Sequence, residues 1–311
     1  MKVESIAAID VGSNAIRLLI NNVEDYEERK AIKKNAYIRV PVRLGEDVFK
    51  HGRIGDEKIR RLIETMKAFT HLMHVFNVPR YYAGATSAMR EAENGLEVAA
   101  LVKQRTGIDI EIVNGAQEAE LIFAAGSLDE FMKPDKAYLH VDVGGGSTEA
   151  IVYCNQRKET SFSYPIGTLR ILAGAVSPES ANEFAENLRD IRDTYAPQDI
   201  IASGGNINKT LKLLGKKDGD AVPLKEVEDF HKELASLSFE ERLAKYKMNS
   251  YRADVIVPAL HIFLTIGRAC HIKNYIIPKV GLVDGIIRQI HCGVLTPHPA
   301  PPAEANCLAN S

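Results

Sequence analysis

Two stretches of the chain repeat one another. AAIDVGSNAIRLLI (7–20) and LHVDVGGGSTEAIV (139–152) each run from an apolar segment into Asp-Val-Gly, pass through small polar residues and return as a second apolar segment. Asp142 lies 132 residues after Asp10. An apolar run that ends in Asp and Gly and resumes a few residues later reads as a hairpin of strands. Two such openings in 311 residues, a length of about two domains, predict a duplicated α/β architecture with two domains facing each other across a cleft.

The rest of the pattern agrees with alternating strands and helices. From Asp56 the apolar residues Ile59, Leu62, Ile63, Met66, Phe69, Met73 and Phe76 recur at helical spacing. RYYAGAT then reads as a strand, GLEVAALVKQRTG as a helix stopped by Gly107, IDIEIV as a strand and AQEAELIFAAGSL as a helix. In the second half AYLHVDVG, STEAIVY and ETSFSYPI read as strands, 178–195 as helix, DIIASGG as a strand followed by helix. VIVPALHIFLTIGRAC reads as a buried helix that tolerates Pro258 near its start, NYIIP as a last strand and GLVDGIIRQIHC as a last helix. The expected domains are 1–128, completed by a C-terminal helix at 281–293, and 129–280, with a hinge near 125–135. The Pro- and Ala-rich tail, 296–311, is expected to be disordered.

Glycines at the end of a strand let backbone N–H groups converge on anionic oxygens without a Cβ in the way. DVGSN, DVGGGS and ASGGN are three such places. One alone is most simply a turn; three after strand-like runs point to phosphate. None is a G-x-G-x-x-G or G-x-x-x-x-G-K-[ST] fingerprint. The acids within the loops, Asp10, Asp142 and Glu149, would repel phosphate unless a divalent cation bridges them to it. For Asp10, capping of its own turn is an equally good reading.

Glu118 lies three and four residues before Leu121 and Ile122, on the apolar face of its helix, whereas Glu120 falls on the solvated face. Favourable interaction with the helix dipole explains this position. So does a role as general base toward water. Arg17, Arg90, Arg170 and Lys209 are the basic residues near the loops, available to clamp phosphate or to form surface ion pairs. The nine histidines show no metal-ligand spacing and receive no metal role.

Composition excludes several classes. With 39 basic and 41 acidic residues the net charge of −2 supplies no global field for nucleic acid or an anionic membrane. Cys154, Cys270, Cys292 and Cys307 form no CxxC pair, which fits structural thiols in a reducing compartment. No uncharged apolar run approaches the roughly 20 residues that span a bilayer, so a cytoplasmic location is expected.

In these segments, together with GATSAMREAENG, IVNGAQEAELIF, YPIGTLRI, ASGGNINK, RADVIVPAL and VGLVDGII, the chain resembles the exopolyphosphatase and guanosine pentaphosphate phosphatase family of the actin-like ATPase superfamily. The motifs keep their order over nearly the whole chain, which is far more specific than any single glycine loop. The resemblance implies two actin-like domains with a ribonuclease-H-type core and a site in the cleft between them. It carries the catalytic base onto Glu118, within AQEAE; the preceding acid of the family is Gln117 here and the following basic position is Glu120. It implies Mg²⁺ or another divalent cation at Asp142 and Glu149, with Asp10 as a further acid, and an arginine clamp at Arg90. Phosphate would be cradled by Gly12, Ser13, Asn14 and Arg17, by Gly144, Gly145, Gly146 and Ser147, and by Gly204, Gly205 and Asn206. The long members' additional helical domain is not matched, and a homodimer is implied.

The expected activity is hydrolysis of the terminal phosphoryl group of inorganic polyphosphate by water activated at Glu118. Guanosine pentaphosphate presents the same terminal group and is the nearest alternative substrate. An actin-like kinase, which would ordinarily use an aspartate base, and a catalytically silent sensor of phosphate polymers or alarmones are the alternatives from other classes.

Overall fold

The computed structural model describes residues 2–26, 29–124 and 128–302. Along the chain come β1 (Lys2–Val11), β2 (Ile16–Tyr26), β3 (Arg29–Val40), α1 (Leu44–His51), α2 (Asp56–Val75), β4 (Arg80–Ala85), α3 (Ser87–Glu91), α4 (Gly95–Thr106), β5 (Glu111–Ile112) and α5 (Gly115–Phe123). A 3₁₀ turn at Leu128–Phe131 precedes β6 (Ala137–Val143), β7 (Thr148–Cys154), β8 (Arg157–Tyr164), α6 (Thr168–Leu172), α7 (Pro178–Tyr195), β9 (Asp199–Ser203) and α8 (Gly205–Leu213). Then follow β10 (Ala221–Pro223), α9 (Leu224–Ser236), α10 (Phe239–Tyr246), α11 (Ser250–Ala253), α12 (Ile256–Ala269), β11 (Asn274–Ile276), α13 (Leu282–His291) and β12 (His298–Pro299). The chain divides into two compact units, one within 1–126 and 282–311, the other within 127–281.

The repeat seen in the sequence is a repeat of sheet topology. In the first unit β1, β2 and β3 form an antiparallel meander and β4 lies parallel to the other edge of β1. In the second, β6, β7 and β8 form the same meander and β9 lies parallel to β6. The β1–β2 turn is closed by Gly12 N–H to Ala15 C=O at 3.2 Å, and the β6–β7 turn by Gly144 N–H to Ser147 C=O at 3.0 Å. Each parallel strand then runs into a helix, α3 after β4 and α8 after β9.

The second sheet extends from β9 to β11 and β10, and a core of Leu139, Val141, Val152, Ile200, Leu188, Leu260 and Phe263 fills it. Pro258, in the first turn of α12, costs no helical hydrogen bond there. In the first unit α13 returns from the far end of the chain and inserts Ile286, Ile287 and Ile290 against Ile6, Leu19, Leu121 and Ile122. Helix α4 ends at Gly107 in the left-handed region (φ 72°). The predicted strand over IDIEIV contracts to the two residues of β5, because β4 offers it only Gly84 and Ala85 as partners.

The tail departs from expectation. Instead of disorder from residue 296, β12 pairs antiparallel with β4, His298 opposite Tyr81 and Pro299 opposite Arg80. Ala300 N–H donates to Pro79 C=O at 3.0 Å, and His298 Nε2 meets Glu111 Oε1 at 2.9 Å. The short β5 covers only the end of the β4 edge, at Gly84 and Ala85, and β12 covers its start, at Arg80 and Tyr81, shielding more of an open strand edge. Residues 303–311 lie outside the described residues. A chain ending at Leu295 is expected to lose about 1–2 kcal/mol of stability, roughly one hydrogen bond's net worth for each lost contact. Hydrogen exchange at β4 is expected to accelerate; unchanged exchange there would refute the pairing.

Candidate active site

The site residues sit where strands end in glycine. In the second unit the register places Ser163 on β8, Glu149 on β7, Asp142 on β6 and Ser203 on β9 directly opposite one another in turn. Directly paired residues share a face, so one polar row crosses four strands. Ser163 Oγ donates to Glu149 Oε1 at 3.1 Å, and Ser203 Oγ donates to Asp142 Oδ2 at 2.5 Å. The two carboxylates occupy the middle of the row, with Cβ atoms about 5 Å apart, a pairing that destabilises a sheet. Two such charges repel by on the order of 3 kcal/mol at an effective dielectric of about 20. Glu149 is buried, which removes the option of turning outward to relieve it.

The glycine loop adjoins this row. Thr168 N–H donates to Gly144 C=O at 3.1 Å, Leu169 N–H to Gly145 C=O at 2.8 Å, and Arg170 Nε–H to Gly146 C=O at 2.9 Å. With all three carbonyls committed to α6, the N–H groups of Gly145, Gly146 and Ser147 have no backbone acceptor among the described residues. That is the arrangement of an anion nest. Arg170, a candidate phosphate clamp from the sequence, therefore braces the loop through Gly146. The third loop is contiguous with the second: the Cβ that Gly204 lacks would stand 3.2 Å from Val143 C=O and 3.4 Å from Asp142 Oδ1, and its φ of 109° also calls for glycine. Arg252 Nη1 donates to Asn206 Oδ1 at 3.0 Å, and Lys209 on the same helix has its pKa lowered by desolvation and then by the charges of Lys212 and Arg252.

The first unit repeats the frame with different chemistry. Asp10 on β1 is paired with Arg17 on β2, and Arg17 with Arg39 on β3. Asp10 and Arg17 form an ion pair. Where the second unit sets acid opposite acid, the first sets acid opposite base, so the Asp10 charge is balanced without a metal. Both turns are closed backbone to backbone, and neither requires its aspartate as a cap. Ser13 Oγ hydrogen-bonds Ser87 Oγ at 2.8 Å and accepts from Ala88 N–H at 3.2 Å, fastening the first loop to α3. Asn14 Oδ1 is buried with no hydrogen-bond partner among the described residues.

Helix α3 carries Arg90, whose Nη1 donates to Val113 C=O at 2.8 Å and lies 3.5 Å from Glu118 Oε2. Glu118 is buried in the first turns of α5, as its spacing from Leu121 and Ile122 predicted, and Glu120 is exposed. Gln117 closes a capping box with Asn114: Gln117 N–H donates to Asn114 Oδ1 and Asn114 N–H to Gln117 Oε1, each at 2.9 Å. An amide serves that cap as well as an acid does, which accounts for glutamine at 117 without disturbing Glu118.

A divalent cation fits the acid pair on this chemistry. The donors are hard oxygens, and the like-charge pairing is of the kind a cation offsets. No group of three or more His, Cys, Asp or Glu side chains forms a metal cage among the described residues. Asp142 and Glu149 would therefore supply a minority of the ligands, as is usual for Mg²⁺ bound with phosphate and water.

Sequence reasoning missed Ser163, Ser203, Ser87 and Arg252, and it gave the histidines no metal role. His140 nevertheless joins the row: two residues before Asp142, it is buried, and its Nε2 lies 3.1 Å from Ser203 Oγ. Burial pushes its pKa down to about 4, so it is neutral at pH 7. The signal was the strand period of two, which puts positions 140 and 142 on one face.

The residue-level geometry coincides with a family match. The model of the Ppx/GppA phosphatase family covers residues 27–291. The chain belongs to that family. Exopolyphosphatase 2 of Mycobacterium tuberculosis is 29% identical over 282 residues, covering 82% of this chain and 88% of the relative. A bifunctional 3-dehydroquinate synthase/phosphatase of Fusobacterium nucleatum is 34% identical over 169 residues, 53% of this chain but only 25% of that protein. Among solved structures, the Ppx/GppA family member of Aquifex aeolicus superposes with a TM-score of 0.73 at 25% identity, covering 94% of this chain and 99% of the neighbour. An exopolyphosphatase of Cytophaga hutchinsonii gives 0.81 at 24% identity with the same coverage. The fold of this Ppx/GppA protein is thus actin-like in both units, and membership places it among hydrolases of phosphoric anhydrides.

Gly167 offers a test of the glycine loop. A Cβ there would fall 2.5 Å from the backbone of Gly145 and Gly146, while its φ of −146° is open to any residue. Gly167→Ala must therefore displace the loop for steric reasons alone. We expect about 1–3 kcal/mol of destabilisation in urea unfolding and weaker binding of inorganic phosphate by calorimetry. Wild-type phosphate affinity in the variant would separate the loop from anion binding.

Proposed function

We propose that this Ppx/GppA protein is an exopolyphosphatase that removes the terminal phosphoryl group of inorganic polyphosphate with a divalent cation, Mg²⁺ in the simplest case. The observation that carries the reading is the acid pair Asp142–Glu149 set directly opposite one another beside a three-glycine nest. The similarity to a mycobacterial exopolyphosphatase over most of both chains supports polyphosphate as the substrate.

A cation held by Asp142 and Glu149 would neutralise the pair and the negative charge gathering on the transferred phosphoryl group. The N–H groups of Gly145, Gly146 and Ser147 donate to phosphate oxygens, and those beginning α8, at Gly205 and Asn206, extend the anion cradle. Glu118 takes a proton from the attacking water as general base. Arg90, anchored on Val113 C=O, stands beside Glu118 and orients it, and its guanidinium is suited to stabilise the equatorial oxygens in the transition state. Gly12, Ser13 and Asn14 form the corresponding cradle of the first unit, with Arg17 shared between phosphate and Asp10.

Glu118→Gln keeps shape and hydrogen bonding but cannot take the proton. It is expected to lower kcat by about 10²–10⁴ with KM little changed. Measurement on long-chain polyphosphate, tripolyphosphate and guanosine pentaphosphate identifies the substrate: preference for long polyphosphate supports the proposal, and preference for guanosine pentaphosphate overturns it. Chelation with EDTA should abolish phosphate release and Mg²⁺ restore it.

A further inference from the structure

We propose that Ser203 and His140 are positioning residues that fix the Asp142 carboxylate for its cation through a buried relay of two hydrogen bonds. The inference rests on the metal-binding role given to Asp142 above and assigns two residues to it. Ser203 is 0% exposed and His140 1%. Ser203 Oγ donates to Asp142 Oδ2 at 2.5 Å, and His140 Nε2 lies 3.1 Å from Ser203 Oγ.

The direction of the relay follows from proton count. A hydroxyl has one proton, and that of Ser203 is spent on Asp142. His140 must then be the donor, through Nε2–H, leaving Nδ1 as an unprotonated acceptor. Nδ1 is buried with no hydrogen-bond partner among the described residues. The three residue types are those of a nucleophilic triad, but the connectivity is not: there the serine proton goes to histidine and the carboxylate faces the other ring nitrogen. Here serine is the middle member, fully buried, and its proton points at the acid.

The relay has a cost that a structural role does not justify. His140 is flanked on its face by Ile151 and Ile201, both buried. An aliphatic side chain at 140 would complete that apolar row without burying an unpaired acceptor. What histidine adds is a donor to Ser203, which polarises the hydroxyl and strengthens its bond to Asp142. With Oδ2 tied, the carboxylate cannot rotate, and Oδ1 is held toward the Gly204 loop, within 3.4 Å of the space a Cβ would take. Hydrogen bonds of this kind to a ligating group typically govern metal affinity by about 10–100-fold.

The test is titration of Mn²⁺ into the full chain by electron paramagnetic resonance, with metal-free melting curves as a check on folding. Ser203→Ala and His140→Leu are each expected to weaken Mn²⁺ binding by about 10–100-fold, with turnover largely recovered at saturating metal. His140→Gln, whose amide nitrogen can reach the place of the ring Nε2–H, is expected to stay close to wild type and rescues the relay if the leucine variant folds poorly. Wild-type affinity in a folded Ser203→Ala protein, alongside loss of binding in Asp142→Asn, overturns the relay and leaves the metal site standing. Absence of Mn²⁺ binding in the wild-type protein overturns both.

Discussion

Two carboxylates set opposite one another on neighbouring strands are the constraint around which the second unit is organised. Asp142 and Glu149 occupy adjacent strands of one register, so neither separates from the other without breaking the ladder that holds β6 to β7. Their repulsion is met from the sides by Ser203 and Ser163, each donating one hydrogen bond outward along the row. A divalent cation held by the two acids, as proposed above, would offset what repulsion remains. The glycine loop at the end of the same strands supplies N–H groups because its carbonyls are engaged by α6. The acid pair, its supporting hydroxyls and the glycine loop beside them are thus consequences of one strand pairing.

The duplication shows how little sequence change redirects a shared frame. Both units close the first hairpin through glycine N–H and run the parallel strand into a helix. At the position across from the aspartate that both copies share, the first unit has Arg17 and the second Glu149. One makes an ion pair; the other sets two acids opposite one another. The first unit has its distinctive acid elsewhere, in Glu118 at the start of α5, beside Arg90.

Several features were legible because they depend on local rules. The repeated Asp-Val-Gly hairpins follow from apolar runs broken by glycine. The helix of Glu118 follows from its spacing, and its buried face was read from Leu121 and Ile122 three and four residues on. The tail was misread because proline and alanine give no periodic signal, while the reason it pairs lies elsewhere: β5 is too short to cover the edge of β4. His140 stands out by no metal-ligand spacing, and its partner Ser203 lies 63 residues away, so their contact leaves no local signal.

By itself, the sequence determined the two-unit α/β frame, the glycine turns, the buried helix face that carries Glu118 and the place of Asp142 and Glu149 on either side of the second turn. Each depends on residues near one another along the chain, where spacing alone fixes which face is buried. Only the tertiary structure decided which acid meets which partner. Strand register paired Asp10 with Arg17 but Asp142 with Glu149, and parallel pairing of β6 with β9 brought Ser203 to Asp142. Contacts between strands so far apart in the chain leave no periodic trace in it, because they are set by how the sheets assemble.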